Sequence, residues 1–313
     1  MSLELTKRNY SGAIRSCKLG DGDKSFTVGG ETALPFYLFE GKMPHATRFG
    51  LEVLDIKPEN YAPALLEVYG DVIGDVAAWA QKCVSLGADF VQVTLAGTDP
   101  NDRDLGPEHA VEVVGKVARA VDVPLVVWGC GNEEKDVLVL RAVAEAMAGR
   151  RLCLGPVKEK NHKQLGAACL AYQHVAIAST PIDVNLAKQL NVLLGNLGVA
   201  DDQLLIDPMV GSLGYGLEYT YSVMERARLA ALCQQDERLQ FPFYCNVGGE
   251  VWKTKEARLP DGEMNLGGAQ DRGVLMEAIT ATTLILAGAD VVVFWHPHAL
   301  ALLRKLVSDL LAG

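Results

Sequence analysis

The sequence lacks any cysteine cluster: its seven cysteines fall at 17, 83, 130, 153, 169, 233 and 245, and no two are separated by only two or three residues. That spacing excludes a local Cys-x-x-Cys metal or iron-sulfur motif. An odd, scattered set in mostly apolar surroundings reads as reduced, buried thiols of a reducing compartment. Cys130 stands apart, because it sits between Gly129 and Gly131 at a predicted strand exit. Positive charge is also short. A formal net charge of −10 and a pI near 5.1 exclude a nucleic-acid phosphate backbone as the main partner. Apolar runs are broken by Gly, Asp or Lys well before a membrane-spanning length, and Met1 to Tyr10 holds no apolar signal stretch, so a cytoplasmic protein without a membrane span is expected. A dinucleotide-binding loop is missing too: Gly129 and Gly131 begin one, but Glu134 stands where the third glycine belongs.

What is present is apolar material for one large core, 49% of 313 residues, with 22% charged. The segment from Leu86 to Pro100 shows how it is arranged. A helix ends at Leu86, Gly87 closes it, an apolar run follows, and the run breaks at Gly97 into a polar loop. Leu286 to Pro297 repeats the pattern: helix, Gly-Ala-Asp turn, apolar run, polar exit. Eight apolar runs are predicted strands, at 49–54, 90–95, 125–128, 151–154, 175–178, 204–206, 243–245 and 291–295. Helical periodicity predicts helices over 71–86, 107–121, 183–197, 221–233 and 272–287. Continuous apolar strands alternating with amphipathic helices imply a parallel sheet covered by helices, and eight strands suit a closed (β/α)8 TIM barrel over residues 36–313. A doubly wound open sheet is the runner-up. Residues 1–35, rich in turns, are expected to form an N-terminal extension, as a hairpin or lid.

In such a barrel the polar exits meet at the C-terminal face, where functional sites of this fold lie. The exits are Gly97-Thr-Asp-Pro100, the stretch from Gly129 to Asp136, Gly155-Pro-Val-Lys158, Ser179 to Asp183, Asp207 to Gly211, Asn246-Val-Gly-Gly249 and His296-Pro-His298. The same residue types are what turns and helix caps require. Lys158 suits a Schiff base but stands in a charge run with Glu159 and Lys160, so that role is set aside. His296 and His298 lack an acidic or thiol partner at ligand spacing, which favours a turn. Asp207 is an acid or base, or a loop anchor. The stretch from Leu213 to Arg228 is the least generic. Gly211, Gly214 and Gly216 permit close backbone approach, and Tyr215, Tyr219 and Tyr221 offer flat amphipathic surface for a planar ligand or a protein.

Taken together, Gly97-Thr-Asp-Pro100, Gly131-Asn-Glu-Glu-Lys-Asp136, the segment Asp183 to Asn191 and the segment Asp207 to Arg226 make the chain resemble the small (delta) subunit of the corrinoid iron-sulfur protein of the reductive acetyl-CoA pathway. The resemblance spans residues from about 49 to 297. It implies a barrel paired with a large subunit that carries the iron-sulfur cluster, with a cobamide between the two chains. The cobalt of that corrinoid accepts a methyl group from methyltetrahydrofolate through a separate methyltransferase and delivers it to acetyl-CoA synthase/CO dehydrogenase. It implies a methyl-carrier subunit with no catalytic residue or metal ligand of its own, rather than an enzyme by itself. No Asp-x-His-x-x-Gly motif for a lower cobalt ligand occurs. The strand exits, strengthened by the resemblance, suggest a cofactor-binding face of Thr98, Asp99, Asn101, Asn132, Asp183, Met209, Gly211, Tyr215 and Asn246. Two other readings are a stand-alone methyltetrahydrofolate-binding methyltransferase with a pterin pocket of Asp99, Asn132, Asp207 and Asn246, and a structural partner that never touches the corrinoid.

Overall fold

Ten strands and eleven helices account for the regular structure of the computed structural model, which describes residues 6–262 and 266–312. Residues 1–5 of the extension, and 263–265 and 313 of the barrel span, lie outside the described residues. The strands are β1 Cys17–Leu19, β2 Phe26–Val28, β3 Arg48–Leu54, β4 Phe90–Thr94, β5 Leu125–Trp128, β6 Cys153–Val157, β7 Val175–Ser179, β8 Leu204–Asp207, β9 Phe243–Asn246 and β10 Ala289–Phe294. The helices are α1 Pro63–Tyr69, α2 Val76–Ser85, α3 Pro107–Ala120, α4 Glu133–Ala146, α5 His162–Tyr172, α6 Val184–Leu197, α7 Leu217–Cys233, α8 Val247–Val251, α9 Lys255–Arg258, α10 Ala269–Leu286 and α11 Pro297–Ala312.

Strands β3 to β10 close into a parallel barrel in the order β10-β3-β4-β5-β6-β7-β8-β9. The fold is therefore the (β/α)8 barrel that the alternating pattern implies, and the open sheet is excluded. Both faces of each barrel strand are covered, which is why these segments read as largely apolar runs. One set of side chains packs outward on the helices, among them Phe49, Val93, Val127 and Ile206. The inward set includes Phe90, Val126, Val175, Leu205, Tyr244 and Val291.

The inward cluster continues into the β1–β2 hairpin through Cys17, Leu19, Phe26 and Val28. Arg151 Nε donates to Lys18 O at 2.8 Å, Cys17 Sγ donates to Asp202 O at 3.1 Å, and Gly20 lies against Pro124. Pro124, Arg151 and Asp202 all precede strands, so the hairpin plugs the N-terminal end of the barrel and leaves the mouth to the βα loops. At the same end Arg228 is 2% exposed and donates to Phe241 O at 3.0 Å, Gly288 O at 2.7 Å and Asp290 Oδ2 at 2.6 Å. Asp290 Oδ2 also accepts the Phe243 amide at 2.6 Å, tying β9 to β10.

Two departures from the sequence reading have local causes. The helix expected over 71–86 starts later, because the Asp75 carboxylate accepts from the Ala77 and Ala78 amides and makes a new N-cap there. Strand β6 continues through Gly155 and Pro156 to Val157, residues that had read as its exit. Among the described residues no helix is long and apolar enough to cross a membrane.

Candidate functional site

The barrel mouth has an aromatic floor built by side chains from within the strands and just past them. Trp128, ending β5, stacks on Tyr244 of β9 with ring centroids 5.2 Å apart, and the Tyr244 hydroxyl donates to Gln92 Oε1. Trp295, just past β10, is held on four sides. Its indole N–H donates to Glu52 Oε2 at 2.7 Å, its amide to Glu277 Oε1 at 2.6 Å, its carbonyl accepts from the Tyr69 hydroxyl at 2.9 Å, and its ring packs on Tyr61.

Burial raises the carboxyl of Glu52 above the usual range, opposed by hydrogen bonds from Trp295, Thr94, Asn246 and Gln92. Burial likewise pushes Glu277 up to about 8, against N–H donors from Trp295, Trp252 and His296. Asp207 at the end of β8 is pushed up to about 6 by burial, although the Ser179 hydroxyl donates to it at 2.6 Å and the Met209 amide at 3.0 Å. Asp136 is also pushed up to about 6 by burial. Its carboxylate accepts the amides of Cys130 at 2.8 Å and Gly131 at 3.1 Å. That bond pattern explains the Gly129 turn, since a Cβ at residue 129 would lie 2.2 Å from Asp136 Oδ1.

Most exit residues named from the sequence organise the rim through hydrogen bonds of their own. Asn132 caps α4 by accepting the Lys135 amide at 3.1 Å, Asp183 caps α6 through the Asn185 and Leu186 amides, and Asn246 caps α8 through Gly249. Asp99 accepts from the Asn101 amide at 2.8 Å and from its side chain at 3.1 Å. Thr98 is fully buried, its hydroxyl donating at 2.7 Å to the carbonyl of Leu95, which precedes the 3₁₀ turn Ala96–Thr98, so its side chain acts beneath the loop.

The loop after β8 behaves differently. Met209 is 44% exposed, yet its backbone sits at φ +56°, a conformation that costs a side-chain-bearing residue about 1–2 kcal/mol. Two side chains hold it there: Asp207 accepts its amide, and the Thr220 hydroxyl donates to its carbonyl at 3.2 Å. The Gly211 amide in turn donates to Thr220 Oγ1 at 2.8 Å, and a Cβ on Gly211 would lie 2.5 Å from the Gly216 backbone. Tyr215 is exposed, and its hydroxyl donates to Glu256 at 2.6 Å. Met209 and Tyr215 line two separate recesses, one of about 340 Å³ beside β7 and one of about 520 Å³ against α10.

Lys158 is more engaged than a solvated charge run implies: its Nζ donates to Gly131 O at 3.1 Å and joins the β5 and β6 exits. His296 serves a turn, accepting the His298 amide on Nδ1 at 3.1 Å. Burial, helped by His298, pushes His296 down to about 4. The sequence reading missed Glu52, Gln92, Trp128, Trp295 and Glu277. Glu52 and Gln92 carried a signal, a polar residue in the middle of an otherwise apolar strand.

Residues 16–304 match a family model described as CO dehydrogenase/acetyl-CoA synthase delta subunit. Subunit delta of the acetyl-CoA decarbonylase/synthase complex of Archaeoglobus fulgidus is 36% identical over 321 residues, covering 98% of this chain and 70% of the relative. The subunit of the same name from Methanothermobacter thermautotrophicus is 36% identical over 302 residues, covering 96% and 76%. Among solved structures, Xanthomonas albilineans dihydropteroate synthase with 4-aminobenzoic acid superposes with a TM-score of 0.59 at 16% identity, covering 87% of this chain and 96% of that one. At that identity the likeness concerns the fold alone.

Proposed function

The chain belongs to the CO dehydrogenase/acetyl-CoA synthase delta subunit family, and from that premise we propose that it is the small subunit of a heterodimeric, cytoplasmic corrinoid methyl carrier. Its barrel mouth caps a cobamide shared with a large subunit that bears an iron-sulfur cluster. The pair takes a methyl group from methyltetrahydrofolate by way of a methyltransferase and passes it to acetyl-CoA synthase/CO dehydrogenase. When bound, the cobamide supplies the cobalt that carries the methyl group; the protein supplies orientation and shelter from water.

The observation that carries this reading is Met209, an exposed side chain held in a strained backbone conformation by Asp207 and Thr220. Strain kept at an exposed loop of a barrel mouth points to function rather than packing. The face also fits the group chemically. Ile182, Leu186, Met209 and Tyr215 are all exposed there and offer the apolar contact a flat macrocycle needs. Asp99, Asn101, Asn132, Asp183 and Asn246 stand at the strand exits with amide and carboxylate groups suited to the amide rim of a corrin. Gly211 lets the chain turn back so that Tyr215 joins the rim, and Thr98 supports the first loop from below.

Met209→Gly tests this directly. Glycine accepts the left-handed backbone without strain, and this relief of about 1–2 kcal/mol outweighs or offsets its entropic cost of about 0.5–1 kcal/mol, so the variant is expected to be at least as stable as wild type. Removing a methionine contact worth about 1.5–3 kcal/mol is expected to weaken corrinoid binding by the two-subunit complex about ten-fold or more. Wild-type affinity in a stable Met209→Gly complex, measured by titration, would remove the residue and its loop from the cofactor face.

A further inference from the structure

The recess of about 340 Å³ that Met209 borders opens between the exits of β6, β7 and β8. Much of its wall is apolar, from Pro181, Leu186, Leu190 and Met209. Two lysines and two glutamates line its edge and leave it without net charge; Lys160 pairs with Glu133 at 3.4 Å and Lys158 donates to Gly131 O. Thr180 in the wall is 5% exposed. Its amide donates to Asp207 O at 3.2 Å, but among the described residues its Oγ1 has no hydrogen-bond partner. A buried hydroxyl without a partner is costly, and native structures seldom leave one so unless something else supplies the bond.

We propose that this recess is a ligand subsite that receives one neutral, carboxamide-ended arm of the corrin periphery. The methylene part of the arm packs on Leu186, Leu190 and Met209, and the terminal amide bonds to Thr180 Oγ1. A neutral amide suits the site better than an anion, because the edge carries no net charge, Lys160 is paired with Glu133 and the Lys158 ammonium is engaged by Gly131 O. The inference rests on the reading of this face as a corrinoid cap.

The test uses the two-subunit complex and cobinamide, a probe that keeps the ring amides and lacks the nucleotide base. Thr180→Val keeps the shape and removes the hydroxyl; it is expected to leave the melting temperature unchanged or raised, while weakening cobinamide binding about five-fold, the factor one hydrogen bond carries. Leu186→Trp fills the recess and is expected to weaken binding at least ten-fold. A purely structural threonine would give no change in affinity. Folded variants that bind within two-fold of wild type would overturn the subsite alone. A wild-type complex that takes up no cobinamide would overturn the capping face and the subsite with it. If Leu186→Trp fails to fold, Thr180→Val decides.

Discussion

Replacing Arg228 with methionine is expected to destabilise the chain by about 4 kcal/mol, the typical cost of removing one partner from a buried ion pair. The guanidinium is 2% exposed and lies over the Phe243 ring with its carbon 4.3 Å from the centroid. Its loss strands the Asp290 carboxylate and removes the donors to the buried Phe241 carbonyl and the half-buried Gly288 carbonyl. For a chain of this size the melting temperature is expected to fall by about 6 °C, read by calorimetry. Burial and the neighbouring Glu31 already hold Asp290 well above the usual carboxylate range, and Arg228 opposes them. The defect should therefore shrink in acid, where a protonated Asp290 no longer needs a cation. A fall of less than 2 °C would mean that the pair is not the clamp between β9 and β10.

Asp207→Asn is expected to reveal a second large effect, and its sign depends on pH. The Asp207 carboxyl is pushed up to about 6 in the folded chain from an ordinary value of 3.8. It binds its proton more tightly folded than unfolded, so its contribution is full below pH 3.8 and is lost as pH rises through 6. At 1.36 kcal/mol per pKa unit the loss is about 3 kcal/mol. Asparagine does not titrate and can still accept the Met209 amide and donate to Ser179. The stability of the variant relative to wild type should thus improve steadily between pH 4 and pH 7. Nearby Lys158 and Glu250 act on the carboxyl in opposite senses, lowering and raising it. A gap that stays constant with pH would mean that Asp207 keeps its charge throughout.

The barrel was legible in the sequence because burial on both faces leaves a largely apolar run, and the predicted strands at 90–95, 125–128 and 175–178 fall within one residue of β4, β5 and β7. The exits were legible for a related reason: Asp183, Asn132 and Asn246 are residues that start helices, and each caps one. What a side chain does at an exit was not legible. Thr98 turns inward because a 3₁₀ turn aims its hydroxyl at Leu95 O. Met209 and Tyr215, six residues apart, part company because Ser212 bridges back to Tyr215 and Gly216 and folds the loop on itself. The clamp on Trp295 joins Glu52 to a residue 243 positions away, a partnership only the closed barrel creates. The strain at Met209 and the unpartnered Thr180 hydroxyl are properties of backbone and packing that composition does not carry.

The central claim, that this barrel caps a cobamide shared with a larger partner, is tested most directly by the visible spectrum of the chain purified alone and after co-expression with a large subunit. The chain alone is expected to be colourless, and with the large subunit a stable one-to-one complex carrying corrinoid absorption is expected. A chain that stays colourless with every such partner and instead binds methyltetrahydrofolate by itself, one per barrel, would contradict it and favour a stand-alone methyltransferase.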